Sequence, residues 1–417
     1  MTPDFPSDRH VQRRVTVLCF LLYLALGLAR YNYSACLSAL LSTEPFSRAA
    51  AGFIGTVSFF AFALGTALSG FVADRMSPRR LVFAALLVSA LSNLAFYFTR
   101  SYAVMLVVWA INGLSHGPAF SCVMRLLSAC YPRERVTGAS IAVQCAFFIG
   151  MGLAYAVSAL LIRLCSWREA FLAAAIACAA FAVVWNAGLR CADRYTDAQQ
   201  AEAVRGGAPA PAAPPAWKLV CGAGLVLVPL ALAVQGILRD GVTAWGPAYV
   251  GDLFHLDASL AVAASMVIPF ISIVGIFAAD LVRRVLRGNE LTTAGVFFVC
   301  SGTMLCVLLF TTGKSLALSL LLLAVSTACM SATNAMLLNA LPLQFGAYGR
   351  TGALSAVFNT AVYTGSGLST CVIGLFVTAL GWRVTNVLWL LLAALAAAAC
   401  LLSARRWQRC KAERGWS

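Results

Sequence analysis

The stretch VTVLCFLLYLALGLARYNYSACLSALLST, Val15–Thr43, carries a single charged side chain, Arg30, near its middle. Arg14 bounds it on one side and Glu44 on the other. Its 29 residues exceed the ~20 that an α-helix needs to cross a bilayer. Arg30 then lies ~20 Å along the helix from either flank, farther than its side chain can snorkel. The guanidinium must face protein or a water-filled cavity, and a charge so placed reads as a functional group whose partner is an anion.

The rest of the chain supplies the setting. Of its 417 residues, 61% are hydrophobic and 11% charged, with a mean hydropathy of +0.86. A soluble protein carries about a quarter charged residues. The apolar residues come in blocks separated by short polar breaks, which is the pattern of an all-α polytopic membrane protein. The formal charge of +15 does not call for nucleic acid. With the N-terminus placed inside, twenty-one of the thirty Lys and Arg fall on that side, six on the other, and Arg30, Arg125 and Arg239 within apolar blocks. The positive-inside rule puts both termini in the cytoplasm, as expected for a multi-pass inner-membrane protein. The polar first 14 residues and the lack of an A-x-A site mark the first helix as a retained anchor. The fifteen cysteines are scattered without CxxC or metal-ligand spacing and read as small buried hydrophobes, so no metal or cofactor is expected. No Walker loop, dinucleotide glycine pattern or paired carboxylates point to an enzyme.

Twelve apolar segments are expected: about 15–41, 50–73, 81–99, 103–128, 138–163, 169–189, 219–250, 258–279, 291–312, 315–342, 351–378 and 384–404. The polar, then Ala/Pro-rich run 191–217 reads as a cytoplasmic linker. It separates an N-terminal six-helix bundle, 1–190, from a C-terminal bundle and tail, 218–417. The halves repeat. Arg30 and Arg239 stand 209 apart, Asp74 and Asp280 206 apart, and Trp167-Arg168 and Trp382-Arg383 215 apart; Arg135 with Gly138 and Arg350 with Gly352 are 215 and 214 apart. Two pseudosymmetric six-helix halves resemble the major facilitator architecture, which places a binding site near the bilayer midplane between the halves.

Several motifs carry that resemblance further. GFVADRMSPRR, Gly70–Arg80, is similar to the major facilitator loop between helices 2 and 3, in which Asp74 pairs with or caps a neighbouring helix end while Arg75 and Arg79 hold the cytoplasmic face. Ser77-Pro78 replace the glycine usual there. Arg30-Tyr-Asn-Tyr, NGLSHGPAFSCVMR (Asn112–Arg125), Pro132–Arg135, LRDGVTAWGPAYV (Leu238–Val250) and Tyr363-Thr-Gly365 together resemble the organophosphate:phosphate antiporter family, which includes glycerol-3-phosphate and hexose-6-phosphate transporters. The helix 7 string is the most specific of these. By the resemblance, Arg30 and Arg239 match the two arginines that grip substrate phosphate. Gln144 stands at the family's amide position, and Thr66 and Phe147 replace a lysine and a histidine that glycerol-phosphate relatives carry.

The residues also speak for themselves. Two planar guanidiniums in equivalent places offer ten N–H donors suited to a phosphate oxygen set. Arg239 lies in a helix read as interrupted by Gly236, Gly241 and Pro247. Asp240 is the one acid in the middle of an apolar block, and it can neutralise one arginine but not both. Tyr31, Asn32, Tyr33, Tyr249, Asn359 and Tyr363 are candidate donors to a cavity, with interhelical packing the other reading of each. Arg125, ~12 Å from the cytoplasmic boundary, reads as structural or gating. His116 reads as a satisfied polar histidine rather than a proton carrier. Asp240 beside Arg239 is poorly suited to proton coupling, so exchange of anions is expected over proton symport. The expected function is import of an organophosphate in exchange for inorganic phosphate by a monomer. A carrier of another organic anion or drug, and a transporter-like organophosphate sensor, remain as alternatives.

Overall fold

In bilayer hydrocarbon every backbone N–H and C=O must be satisfied within the segment, which leaves the helix as the form for these apolar runs. The computed structural model describes residues 9–73, 76–131, 133–190, 193, 220–286, 288–345 and 351–414. Asp74, Arg75, Arg350 and the linker apart from Asp193 lie outside the described residues. Among the described residues the regular elements are all helical. In chain order they begin α1 Arg9–Thr43, α2 Arg48–Ala73, α3 Pro78–Phe98, α4 Tyr102–His116, α5 Ala119–Cys130, α6 Arg133–Leu164 and α7 Glu169–Gly188. They continue α8 Val228–Phe254, α9 Ala258–Ser265, α10 Val267–Val285, α11 Glu290–Thr311, α12 Leu316–Asn334, a π-helical turn Ala335–Ala340, α13 Leu341–Leu343 and α14 Thr351–Arg414.

These elements account for the twelve expected spans. Among the described residues, ten candidate spans are long and apolar enough to cross a membrane. The last of them, within α14, holds two helices joined at Gly381, whose φ of 76° is open to glycine at little steric cost. The helix α8 is outside the ten because Gln235, Arg239 and Asp240 lower its hydropathy. The fourth span is not one unbroken helix: it is α4 and α5, parted at Gly117-Pro118. The interruption expected in α8 is absent. It runs helical through Gly236, Gly241 and Pro247. The glycines serve close packing instead: Gly236 lies against the Val362 carbonyl and Gly241 against Ile373 and Ser369.

The chain clusters into two compact units, 1–36 with 60–209 and 37–59 with 210–417. Small residues bring backbones together inside each, as membrane helices require where there is no hydrophobic drive between them. In the first unit, Gly27 of α1 meets the Gly150 backbone of α6, and Gly65 of α2 meets the Leu114 backbone of α4. In the second, Gly365 of α14 meets the Ala233 backbone of α8, and Gly275 of α10 meets the Ala328 backbone of α12. Gly27 and Gly236 stand 209 apart, Gly150 and Gly365 215 apart, and Gly65 and Gly275 210 apart. The repeat read from charged landmarks is thus also a repeat of helix contacts.

The hairpin 37–59 packs with the second unit rather than with its own sequence half. Thr56 Oγ1 donates to the Gly367 carbonyl at 2.6 Å, and Gly52 sits on the Thr370 backbone. Arg48 meets Asp252 with two hydrogen bonds of 2.5 and 3.1 Å, and Trp382 Nε1 donates to the same carboxylate at 2.8 Å. At another point of this unit, fully buried Glu290 accepts from Trp407 Nε1 at 2.9 Å and pairs with Lys411 at 3.3 Å, tying the end of α14 to the start of α11.

A side chain at Gly365 has no room that a rotamer change could open, since the neighbour is backbone. Gly365→Leu is expected to lower stability by ~1–3 kcal/mol or more, read as an earlier thermal unfolding transition of the purified protein. Gly138→Ala, with no atom within 4 Å of the new Cβ, is expected to leave that transition unchanged or slightly later.

Candidate functional site

The first candidate centre lies in α1. Asn93 Nδ2 and Asn112 Nδ2 both donate to the Ala29 carbonyl, at 3.2 and 3.0 Å, and so fix the backbone next to Arg30. Asn32 Nδ2 donates to Asn93 Oδ1 at 2.8 Å. Ser89 Oγ donates to Asn112 Oδ1 at 2.8 Å and lies 2.9 Å from His116 Nε2. Because the one hydroxyl proton of Ser89 goes to Asn112, the histidine donates, which requires its Nε2–H tautomer. His116 is therefore a satisfied polar residue of a layer joining α1, α3 and α4. A buried network with its members bonded rigidifies the helices that bear it.

Arg30 itself is half-buried. Its guanidinium lies over the Phe62 ring, 4.0 Å from the centroid, and 5.6 Å from the Tyr31 ring centroid. Phe147 meets Tyr31 edge-on at 5.6 Å. Stacking on an aromatic face suits a delocalised, weakly hydrated cation and holds its plane without consuming N–H donors. Thr66 Oγ1 donates to the Phe62 carbonyl at 2.9 Å, so neither Thr66 nor Phe147 brings charge to this region.

The second candidate centre lies in α8. Arg239 is 9% and Asp240 4% exposed. Arg239 donates Nε–H to Asp240 Oδ1 and Nη2–H to Asp240 Oδ2, each at 2.9 Å. Ser366 Oγ of α14 donates to Asp240 Oδ2 at 2.6 Å. Neighbours in sequence do not normally face each other on a helix; here the arginine side chain folds back onto the adjacent carboxylate. One turn earlier, Gln235 Nε2 donates to the Met330 carbonyl at 3.2 Å. The neutralisation of one arginine foreseen from the sequence is thus made, at Arg239.

The other predicted residues divide. Asn32, with no exposed surface, spends its amide in the polar layer. Tyr33, 4% exposed, packs with Phe96 and Trp109 at 5.9 and 5.4 Å between ring centroids. Tyr249, fully buried, meets Trp382 at 5.0 Å and accepts from Asn386 at 3.4 Å. Of the two readings given for each of these three, the contacts described here are those of packing within their own units. Gln144, Asn359, Tyr363 and Arg125 are half-buried. Arg79 donates to Asp193 at 3.0 Å and to the Asn186 side chain and carbonyl at 2.7 and 3.3 Å, anchoring α3 to the end of α7. Asp280 pairs with Arg283 and Arg284 of its own helix, at 3.1 and 2.6 Å. Sequence reading missed Ser89, Asn93 and Ser366. Their one available signal is a small polar side chain in mid-span, which is also common in plain packing.

A family model described as Major Facilitator Superfamily matches residues 19–370. A probable hexose phosphate transport protein of Chlamydia pneumoniae is 25% identical over 172 residues, 41% of this chain and 38% of that protein. The membrane sensor protein UhpC of Escherichia coli K12 is 26% identical over 141 residues, 33% of this chain and 32% of that protein. The 4-hydroxybenzoate transporter PcaK of Pseudomonas aeruginosa is 28% identical over 161 residues, 39% and 36% of the two chains. The chain therefore spans less than two fifths of the length of each of these curated relatives. The crystal structure of the nucleoside transporter NupG superposes with a TM-score of 0.72 at 14% identity, covering 95% of this chain and 99% of that one, a likeness of fold.

Asn32→Ala leaves Asn93 Oδ1 without its buried donor. It is expected to lower stability by ~1–2 kcal/mol, seen as earlier thermal unfolding, while ligand binding per folded molecule stays within about twofold of wild type.

Proposed function

The chain belongs to the Major Facilitator Superfamily, and on that premise we propose that this multi-pass membrane transporter carries an organophosphate in exchange for inorganic phosphate. The observation that carries the reading is the pair Arg30 and Arg239. Each follows by three residues a glycine, Gly27 or Gly236, that lies against another helix of the same unit. Equivalent helices thus carry a guanidinium at the same step from a packed glycine. In the proposed cycle the substrate phosphate bridges the two forks, and the closed, loaded carrier reopens on the opposite face by rocking of its repeats. Arg30 is held flat by Phe62, and in this cycle Arg239 reaches the anion while retaining Asp240. The hexose phosphate transport protein among the relatives supports the substrate class. The arginine-rich loops support cytoplasmic termini in an inner membrane.

A second reading, a carrier of another organic anion, draws on the Asp240 carboxylate against Arg239 and on the likeness to PcaK. Phosphate competition separates the two, since a carrier indifferent to phosphate is not the exchanger. Specific organophosphate binding without counterflow points instead to a sensor, the role named for UhpC.

Arg30→Lys and Arg239→Lys keep the charge but lose the bidentate fork. In phosphate-loaded proteoliposomes each is expected to cut counterflow of glucose 6-phosphate or glycerol 3-phosphate at least a hundredfold, with normal membrane insertion. Wild-type counterflow from both variants would remove the assignment.

A further inference from the structure

A polar region at the start of α1 stands apart from the two arginine centres. Gln12 Nε2 donates to the Cys130 carbonyl at 3.1 Å, and the Tyr131 hydroxyl donates to the Gln12 carbonyl at 2.9 Å. With its proton so placed, Tyr131 accepts from Thr16 Oγ1 at 2.7 Å. These bonds pin the opening turns of α1 to the end of α5. Beside them is a cleft of about 500 Å³ lined by Arg9, Gln12, Arg13, Thr16, Val17 and Tyr131, all within the first unit. That volume falls in the ~300–1,000 Å³ range of small-ligand sites.

The tyrosine and threonine protons are spent on the wall of the cleft, so the donors it offers a guest are chiefly its two guanidiniums. Arg9 and Arg13 are four residues apart and share one helix face, and both are exposed. Among the described residues no carboxylate pairs with either. The same face then changes character. Val17 and Leu21, at the next two steps of four, are 47% and 37% exposed. Both lie inside the apolar stretch that begins at Val15, where exposed aliphatic side chains meet lipid tails as apolar as themselves. Along one face, cations at the boundary thus give way to hydrocarbon-facing side chains. A phospholipid presents its groups in that same order, charged headgroup first and acyl chains after.

We propose that the cleft at the start of α1 is a site for an anionic phospholipid of the adjoining leaflet, its phosphodiester held by Arg9 and Arg13 and its acyl chains lying on Val17 and Leu21. Arginine forks match phosphate oxygens bidentately. Two cations favour a headgroup that keeps its negative charge, such as phosphatidylglycerol, over phosphatidylcholine, whose ammonium cancels the phosphate. Free phosphate makes no contact with the apolar strip. The site is independent of Arg30 and Arg239 and of the substrate carried.

The test equilibrates the purified full chain in detergent with phosphatidylglycerol or phosphatidylcholine and reads retained lipid by native mass spectrometry. Wild type is expected to retain phosphatidylglycerol in preference to phosphatidylcholine. It is expected to bind phosphatidylglycerol about thirtyfold more tightly than Arg9→Gln/Arg13→Gln, each arginine contributing about a fivefold factor. Arg14→Gln removes an equally exposed cation that does not line the cleft, and is expected to stay within about twofold of wild type. A large excess of inorganic phosphate is expected to leave the lipid in place. All three targets are exposed side chains, and an unchanged thermal transition without added lipid shows that the variants fold. Equal retention of the two lipids by wild type, or wild-type retention by the double variant, overturns the proposal. So does an equal loss in Arg14→Gln, which means a diffuse basic surface, or displacement by inorganic phosphate, which means a cleft for a soluble anion.

Discussion

A guanidinium in the middle of a membrane has to be enclosed. Hydrocarbon offers it neither hydrogen bonds nor counter-charge, and its side chain is too short to reach water from mid-span. This chain encloses two by different means. Arg30 lies flat on Phe62 beside Tyr31, above a layer of amides that locks the Ala29 carbonyl. Arg239 is folded onto Asp240, which Ser366 supports. One arginine keeps its plane through aromatic faces; the other carries its counter-ion with it. Equivalent positions of a repeat thus stand among different side chains.

The enclosure depends on backbones that approach closely. Gly27 with Gly150 and Gly236 with Val362 set the distance between the arginine-bearing helix and its neighbour in each unit. Gly65 with Leu114 and Gly275 with Ala328 repeat the same device one helix pair away. Other landmarks of the repeat have diverged in what they do. Arg168 donates to the Thr99 carbonyl at 2.7 Å and closes the end of α3, whereas Trp382 at the equivalent Trp-Arg pair holds Asp252. The repeat preserves where side chains stand; their bonds depend on what the neighbouring helix offers.

Much of the architecture was legible in one dimension. Hydropathy marked the spans, and offsets near 210 marked the repeat that the glycine contacts also follow. Three features were not legible. A Gly-Pro pair parts α4 from α5, while α8 runs whole through Pro247 and through two glycines whose open sides are filled, Gly236 by the Val362 carbonyl and Gly241 by the Ile373 and Ser369 side chains. The hairpin 37–59 packs with the second unit through Thr56 and Gly52, a choice that no local pattern signals. Ser89, Asn93 and Ser366 matter through partners 23 to 126 residues away.

Sequence alone determined that this is a twelve-span helical membrane protein of two repeated halves, with Arg30, Arg239 and Asp240 as its mid-membrane charges along with the Arg125 cation nearer one boundary. Those facts follow from hydropathy and chain position, which are properties of residues taken one at a time. Tertiary structure decided which side chain faces which. It set Asn32 on Asn93, Tyr33 on Trp109 and Tyr249 on Trp382, put Asp240 on Arg239 and brought Ser366 to Asp240. A hydrogen bond needs its two atoms within about 3 Å in a fixed direction, and that condition is met only when distant helices have been brought together at a set rotation.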